Sequence, residues 1–337
     1  MPTTAPRTVS IHSLNLIFRY YRERVRLPAR NPNNPPYKSA GATASFPGRF
    51  HIFGRSANPR PKLCPSCGTL VGATATHCHQ CGANVNFSFS AANKALSRLM
   101  PTKSPATYAI LGLSCILYLF SLLWSIRLGG GGDSGGGLLG FDLGGINGTV
   151  LERLGASLPL SYDLQEPWRF VMAVFLHGGL LHIGFNMWVL MDIGPVIEEL
   201  YGSARYFFIY VATGIFGYVL SSFRGSFSVG GSGALLGLIG VLLAMTMGHQ
   251  TAGMKMLRGQ LVRWLIYIGV ISLLPGVDLL AHLGGFVSGF LLGKIMKDRQ
   301  PVTPNERKLA NVLGWGAVVV VVASMAMIAR DLLQGGS

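Results

Sequence analysis

A serine set among glycines begins one of the most apolar stretches of this 337-residue chain. In "SVGGSGALLGLIG" (228–240), Ser232 has glycine on both sides and mainly hydrophobic residues after it. Such a serine can be a small packing residue between helices, or a nucleophile that needs bare backbone around it. The choice between the two interpretations depends on which polar residues lie in the other apolar stretches.

A histidine in a second apolar stretch is a candidate partner for Ser232. Glycines follow His282 at i+3, i+7 and i+11, which puts them on one face of a helix. Small residues recur in a similar way after Ser232, and such faces let two helices approach closely. If the two faces pack together, His282 reaches Ser232 and supplies a general base to a nucleophile, with no third residue required. Taken singly, each residue also fits an ordinary structural role.

A third apolar stretch carries His182 and Asn186, four residues apart and therefore on one helix face. Both side chains can donate hydrogen bonds into the same small volume, which suits stabilisation of a developing oxyanion. An interhelical hydrogen-bonding pair that holds a bundle together is an equally good interpretation. His177, at the outer end of the stretch, fits a structural hydrogen bond to the preceding loop.

Four of the five cysteines form two Cys-x-x-Cys pairs separated by ten residues, each followed by glycine. They are Cys64, Cys67, Cys78 and Cys81. Four thiolates in this spacing can hold one tetrahedral Zn²⁺, so we predict a closed, structural zinc ribbon over residues 61–86. His77 and His79 are alternative ligands, and redox pairs or disulfides are the alternative chemistry. Cys115 lies in an apolar stretch and is interpreted as a small core residue.

The elements that carry these residues are apolar enough for a bilayer. Half of the residues are hydrophobic and only 12% are charged, against about a quarter in soluble domains. Seven stretches are long enough to cross about 30 Å of hydrocarbon as helices. They are residues 107–126, 170–191, 204–222, 231–248, 260–275, 278–296 and 309–329.

The positive charge is concentrated before the first of these stretches. Residues 1–105 hold 14 Lys and Arg and one acidic residue, whereas the remainder holds 14 basic and 12 acidic residues. An N-terminus of this kind is expected in the cytoplasm, where disulfides are uncommon. We interpret residues 1–60 as a basic disordered tail and 87–105 as a linker. An amphipathic helix at 16–27 is a weaker alternative, and nucleic acid is not an expected partner because no recognised binding module accompanies the charge.

Five short segments together resemble the rhomboid family of intramembrane serine proteases, and they occur in the order that the family has. They are "EPWR" (166–169), "HIGFN" (182–186), "IGPVIEELYG" (193–202), "GGSG" (230–233) and "VDLLAHLGGFVSG" (277–289). The resemblance implies an all-α polytopic membrane protein, with a rhomboid-like six-helix bundle over 106–297. A further transmembrane helix within 298–337 and the small zinc ribbon before the bundle complete the expected architecture.

The same resemblance implies roles for individual residues. Ser232 would be the nucleophile and His282 the general base and acid. The side chains of His182 and Asn186, with the backbone N–H of Ser232, would form the oxyanion site. Catalysis would need no cofactor. The implied substrates are transmembrane proteins cleaved within the lipid bilayer.

Further positions of the family's pattern are implied to be structural or to differ. Trp168 and Arg169 would be structural residues of the first outer loop, and Glu198 would anchor a helix end. Leu236 replaces an aromatic residue that often packs on the histidine, so packing around the histidine is less constrained. Gly231 replaces a small alanine.

Two other functions remain open to the sequence. A catalytically silent rhomboid-like protein that binds transmembrane clients would be expected to lack Ser232 or His282, and both are present. A transporter would be expected to show internal repeats with matching broken helices, and none are found. The zinc ribbon could in addition dock a cytoplasmic protein partner. The charge pattern and the ribbon favour a bacterial inner membrane, with the C-terminus outside.

Overall fold

The computed structural model describes residues 62–64, 69–73, 75–82, 104–128, 145–225 and 227–334. The chain divides into two compact units, Met1–Pro101 and Thr102–Ser337. The predicted tail at 1–60, nearly all of the predicted linker and Cys67 lie outside the described residues.

The first unit contains a short antiparallel hairpin that brings cysteines together. Strand β1 (Lys62–Leu63) pairs with β2 (Leu70–Val71), and next to this pair the Cys64 N–H donates to the Thr69 carbonyl at 2.8 Å. Cys64 and Val71 are buried together with Cys78. An apolar cluster of this size contributes little stability by itself.

The described residues of the second unit contain ten helices. They are α1 (Pro105–Arg127), α2 (Gly148–Arg153), α3 (Leu160–Asp163), α4 (Arg169–Met172), α5 (Leu180–Tyr201), α6 (Ser203–Ser222), α7 (Ser232–Met247), α8 (Ala252–Ile271), α9 (Leu279–Ile295) and α10 (Pro304–Leu333). The all-α class predicted from the sequence is therefore confirmed.

Four of these helices qualify as membrane spans by length and apolar composition, namely α1, α5, α6 and α10. Helices α7 and α9 are also apolar but shorter. Helix α8 does not qualify because Lys255, Arg258 and Arg263 lie within it. Two of them, Lys255 and Arg258, precede the predicted fifth stretch at 260–275. They form part of the helix itself, which starts eight residues earlier than the apolar pattern indicates.

The second predicted stretch also has different boundaries. Residues 169–172 form the separate short helix α4, and α5 begins only after Gly179, whose backbone is fully extended. Helix α5 then continues through Pro195 to Tyr201, ten residues beyond the predicted end. It ends at Gly202, whose φ of +82° is a left-handed conformation that favours glycine and turns the chain into α6.

The acidic side chain of Glu198, near the end of α5, is buried and hydrogen-bonded within the protein. Its two carboxylate oxygens accept hydrogen bonds from the backbone N–H groups of Ala106 and Thr107 at 2.9 and 2.8 Å. The Thr107 hydroxyl donates a third bond at 2.7 Å. These N–H groups lie at the positive end of α1 and have no acceptor within the helix. The helix also has no side-chain cap of its own. Glu198 thus anchors a helix end, as the resemblance implied.

Helix α7 is the centre of the bundle, and residues 233–246 are all buried. Its glycines face those of α9 with almost no space between the backbones. A Cβ at Gly285 would lie 1.9 Å from the Gly233 carbonyl oxygen, and one at Gly289 would lie 2.0 Å from that of Gly237. The predicted packing of the two glycine faces is therefore confirmed. It brings the first turns of α7 and α9 side by side.

Candidate active site

Ser232 is the first residue of α7 and follows a loop that only glycine can form. Gly230 has a φ of +135°, and a Cβ at this position would lie 2.6 Å from Nε2 of His182. The Gly230 N–H donates to the Ala173 carbonyl at 2.9 Å, and its own carbonyl accepts from the Tyr218 hydroxyl at 2.7 Å. The backbone before Ser232 is therefore held on both sides.

The structure brings Ser232 and His282 together. The distance from Ser232 Oγ to His282 Nε2 is 2.8 Å, within hydrogen-bonding range. His282 lies in the first turn of α9 and is only 9% exposed. Asp278 caps this helix by accepting from the Ala281 N–H at 2.9 Å, and it also accepts a hydrogen bond from the Ser221 hydroxyl. The cap fixes the turn that carries the histidine.

The other ring nitrogen of His282 has a partner that the sequence analysis missed. Nδ1 of His282 lies 2.6 Å from Oγ of Ser272, which is the residue that follows α8. Ser272 is 3% exposed, and its hydroxyl donates to the Ile268 carbonyl at 2.6 Å. The only available signal was one polar residue near the end of an apolar stretch, which does not distinguish Ser272 from a helix-terminating serine.

His182 lies beside the serine loop. Its Nδ1 accepts from the backbone N–H of Gly178 at 3.5 Å, which leaves Nε2 as the protonated nitrogen, next to Gly230. Asn186 is buried one turn further along α5, and its Nδ2 donates to the His182 carbonyl at 2.9 Å. Among the described residues, the hydrogen bonds of Asn186 include none to Ser232.

His177 has the structural role expected of it. Its Nδ1–H donates to the Phe175 carbonyl at 3.1 Å, and its ring meets that of His182 edge to face at 5.1 Å between centroids. The side chain is 1% exposed. Burial, with a smaller contribution from the neighbouring His182, lowers the pKa of His177 from 6.5 to about 3. His177 is therefore neutral at physiological pH.

The segment between α1 and α5 is held together by Arg169. Its Nη1 donates to the carbonyls of Glu152 and Ala156 at 2.6 and 3.2 Å, and its Nε pairs with the Glu166 carboxylate at 2.5 Å. The guanidinium also lies 4.9 Å from the centre of the Trp168 ring. All of these contacts lie within the loop itself, so Trp168 and Arg169 are structural.

Three cysteines of the first unit form a separate cluster. The sulfurs of Cys64, Cys78 and Cys81 all lie within 4.8 Å of one another, and those of Cys64 and Cys81 are 3.6 Å apart. Thiolates about 2.3 Å from one tetrahedral ion are separated by about this distance, so the cluster can hold a metal ion. No disulfide joins the described cysteines, which are Cys64, Cys78, Cys81 and Cys115. The alternative of disulfides is thus absent from the described part of the chain.

The fold and the site define the class of the molecule. It is an all-α polytopic integral membrane protein, in which a serine at a helix N-terminus contacts a buried histidine from a neighbouring helix. A hydroxyl that donates to an imidazole can act as a nucleophile in acyl transfer.

Comparison with known proteins identifies the domain that carries this site. A Rhomboid domain model matches residues 164–299. RHOMBOID-like protein 1 of Arabidopsis thaliana is 39% identical over 156 residues, which are 44% of this chain and 40% of the relative. Rhomboid-type serine protease 2 of Emericella nidulans is 35% identical over 173 residues, 49% of this chain and 34% of the relative. Rhomboid protease GluP of Bacillus subtilis is 30% identical over 155 residues, 45% and 31% of the two chains.

This chain carries a Rhomboid domain at residues 164–299. The matched domain carries α4 to α9 and therefore both Ser232 and His282. The chain spans less than half the length of each of the three relatives.

Proposed function

We propose that this protein is an intramembrane serine endopeptidase that cleaves transmembrane segments of other membrane proteins. The observation that carries the proposal is the 2.8 Å contact between Ser232 Oγ and His282 Nε2. Two of the similar proteins carry "protease" in their names. The contact supports Ser232 as nucleophile and His282 as general base and acid.

In the proposed reaction, Ser232 Oγ attacks the peptide carbonyl carbon while its proton passes to Nε2 of His282. The C–N bond then breaks, and His282 returns the proton to the leaving amine. Water next attacks the acyl-enzyme, again through His282, and releases the new carboxylate. Acylation and deacylation both begin with His282 unprotonated at Nε2.

The negative charge that develops on the carbonyl oxygen needs hydrogen-bond donors. We assign this role to the Nε2–H of His182, the side-chain amide of Asn186 and the backbone N–H of Ser232. The position of His182 Nε2 against Gly230, two residues before the nucleophile, supports its part. The first N–H groups of a helix have no partner within the helix, which supports the part of Ser232 at the start of α7.

We further propose that the N-terminal unit is a structural zinc ribbon, with Cys67 as the fourth ligand beside Cys64, Cys78 and Cys81. The ribbon would face the cytoplasm of a bacterium and provide a docking module for a protein partner. The excess of basic residues before α1 supports this orientation. The C-terminus after α10 would then lie outside. No cofactor is required for the proposed reaction.

A fluorescent fluorophosphonate tests the proposal, because it phosphonylates serines activated by a base. We expect the detergent-solubilised protein to be labelled, and Ser232→Ala and His282→Ala to lose the label. His249→Ala is the matched control, since His249 pairs with Asp298 at the opposite end of α7 and should label normally. Equal labelling of all four proteins would place the label elsewhere. A folded wild-type protein that takes no label would favour the catalytically silent, client-binding alternative.

A further inference from the structure

Among the described residues, no carboxylate is hydrogen-bonded to the ring of His282, so the environment of the second ring nitrogen decides how the ring is held. In the described part of the chain, the hydrogen-bonding partner of Nδ1 is the side chain of Ser272, which comes from a third helix segment. Ser272 lies directly after α8, His282 lies in α9, and Ser232 begins α7. Oγ of Ser272 is 2.6 Å from Nδ1 of His282 and is almost fully buried. A contact this short between buried polar atoms is a hydrogen bond with a definite donor.

The donor follows from a count of protons. A serine hydroxyl carries one hydrogen, and a backbone carbonyl can only accept. Oγ of Ser272 lies 2.6 Å from the Ile268 carbonyl oxygen, so its hydrogen is committed to that oxygen. The hydroxyl is therefore an acceptor towards His282, and the hydrogen between them belongs to Nδ1.

The opposite assignment leaves a defect. If the Ser272 hydroxyl donated to Nδ1, the oxygens of Ser272 and Ile268 would face each other at 2.6 Å with no hydrogen between them. Buried acceptors left unpaired in this way destabilise a structure. Nε2 would also carry the ring proton and would donate to Ser232 instead of accepting from it.

We infer that Ser272 is a positioning residue for the proposed reaction, which holds His282 in the tautomer with Nδ1 protonated and Nε2 bare. The inference rests on the proposed function. Ser232 can then donate its proton to Nε2. When His282 becomes doubly protonated, the Ser272 oxygen continues to accept from Nδ1–H, so no hydrogen bond is lost during proton transfer. A neutral hydroxyl here has the orienting role that a carboxylate has in a three-residue site.

The tautomer itself can be measured without any catalysis. We would record ¹⁵N–¹H spectra of the full chain with ¹⁵N-labelled histidine rings, and assign the His282 signals by their loss in His282→Ala. We expect a neutral ring protonated at Nδ1 in the wild type, and a shift towards the Nε2-protonated form in Ser272→Ala. A wild-type ring protonated at Nε2 would overturn the inference, whether or not the protein proves to be a protease.

Kinetics give the second test, with fluorophosphonate labelling as the reaction. Ser272→Ala should lower the maximal labelling rate by about tenfold or more, with the concentration for half-maximal rate unchanged. Ser272→Thr keeps a hydroxyl and should recover most of the rate. Ser324→Ala is the matched control, because Ser324 is also buried and also donates to the carbonyl four residues earlier, in α10. Equal rates for Ser272→Ala and Ser324→Ala would overturn the inference. A wild type that takes no label would count against the proposed function, and the spectra alone would then decide the role of Ser272.

Discussion

Gly285 in α9 lies so close to Gly233 in α7 that a Cβ on Gly285 would be 1.9 Å from the Gly233 carbonyl oxygen. No van der Waals contact between carbon and oxygen is this short, so a larger residue requires the two helices to separate. Three residues earlier along α9, and one residue earlier along α7, are His282 and Ser232. The hydrogen bond between these two side chains therefore depends on a contact between backbones.

Replacement of Gly285 by alanine should separate the nucleophile from its base. We expect Gly285→Ala to lower the free energy of unfolding by about 1–3 kcal/mol, as other overpacked cores do. The rate of fluorophosphonate labelling of Ser232 should fall by more than the loss of folded protein accounts for. Gly269→Ala in α8 is the control, because nothing lies within 4 Å of the added Cβ. Labelling at the wild-type rate in folded Gly285→Ala would contradict the dependence on helix contact.

Glu198 should matter for stability more than for chemistry. In Glu198→Gln, an NH₂ group faces donors from Ala106 and Thr107, and the negative charge at the start of α1 is lost. We expect the unfolding free energy, measured by SDS titration in mixed micelles, to fall by about 2–3 kcal/mol. Thr107→Val removes one of the three bonds and should cost about 1 kcal/mol. Exposed Glu152→Gln is the control, and an equal effect there would contradict the anchoring role.

Protonation of His177 should link stability to pH. Its pKa is about 3 in the folded protein and 6.5 as a free side chain, because burial disfavours the charged ring. Between these values the unfolded chain binds the extra proton, so stability is complete above pH 6.5 and falls as the pH decreases towards 3. The slope is at most about 1.4 kcal/mol per pH unit for one proton. His177→Asn should reduce this slope between pH 6.5 and 4.5 in the same SDS titrations. An unchanged slope would show that His177 is not the group responsible.

The cysteine cluster predicts a stoichiometric metal. We expect the purified full chain to contain one zinc per molecule by elemental analysis. Cys78→Ser should lose most of it, because a closed site with one ligand missing binds far more weakly and so small a unit gains its folding free energy from the metal. Cys115→Ser removes a thiol of α1 and should keep its zinc. Full zinc in Cys78→Ser, or none in the wild type, would count against the ribbon.

Much of this protein could be derived from the sequence because the forces involved are local. The free energy of burying a helix in hydrocarbon depends on its own side chains, so the apolar stretches predicted an all-α membrane protein. The spacing of glycines on a helix is also local, and it indicated which faces of α7 and α9 meet. Ser232 and His282 were predicted as partners on that basis, and the structure brings them together. The same reasoning failed at α8, where charged residues lie inside the helix and hide its start.

Only the tertiary structure determines which side chains from separate helices become partners. Nothing near Ser272 in the sequence indicates that its oxygen meets Nδ1 of His282, and nothing near Gly178 indicates that its N–H meets His182. Glu198 could be expected to anchor a helix end, yet its partners lie about ninety residues earlier in the chain. A hydrogen bond requires two atoms to agree within a few tenths of an ångström. These interatomic distances depend on how closely the helices cross. The glycine contacts between helices determine that separation in three dimensions, and hydrophobic periodicity does not encode it.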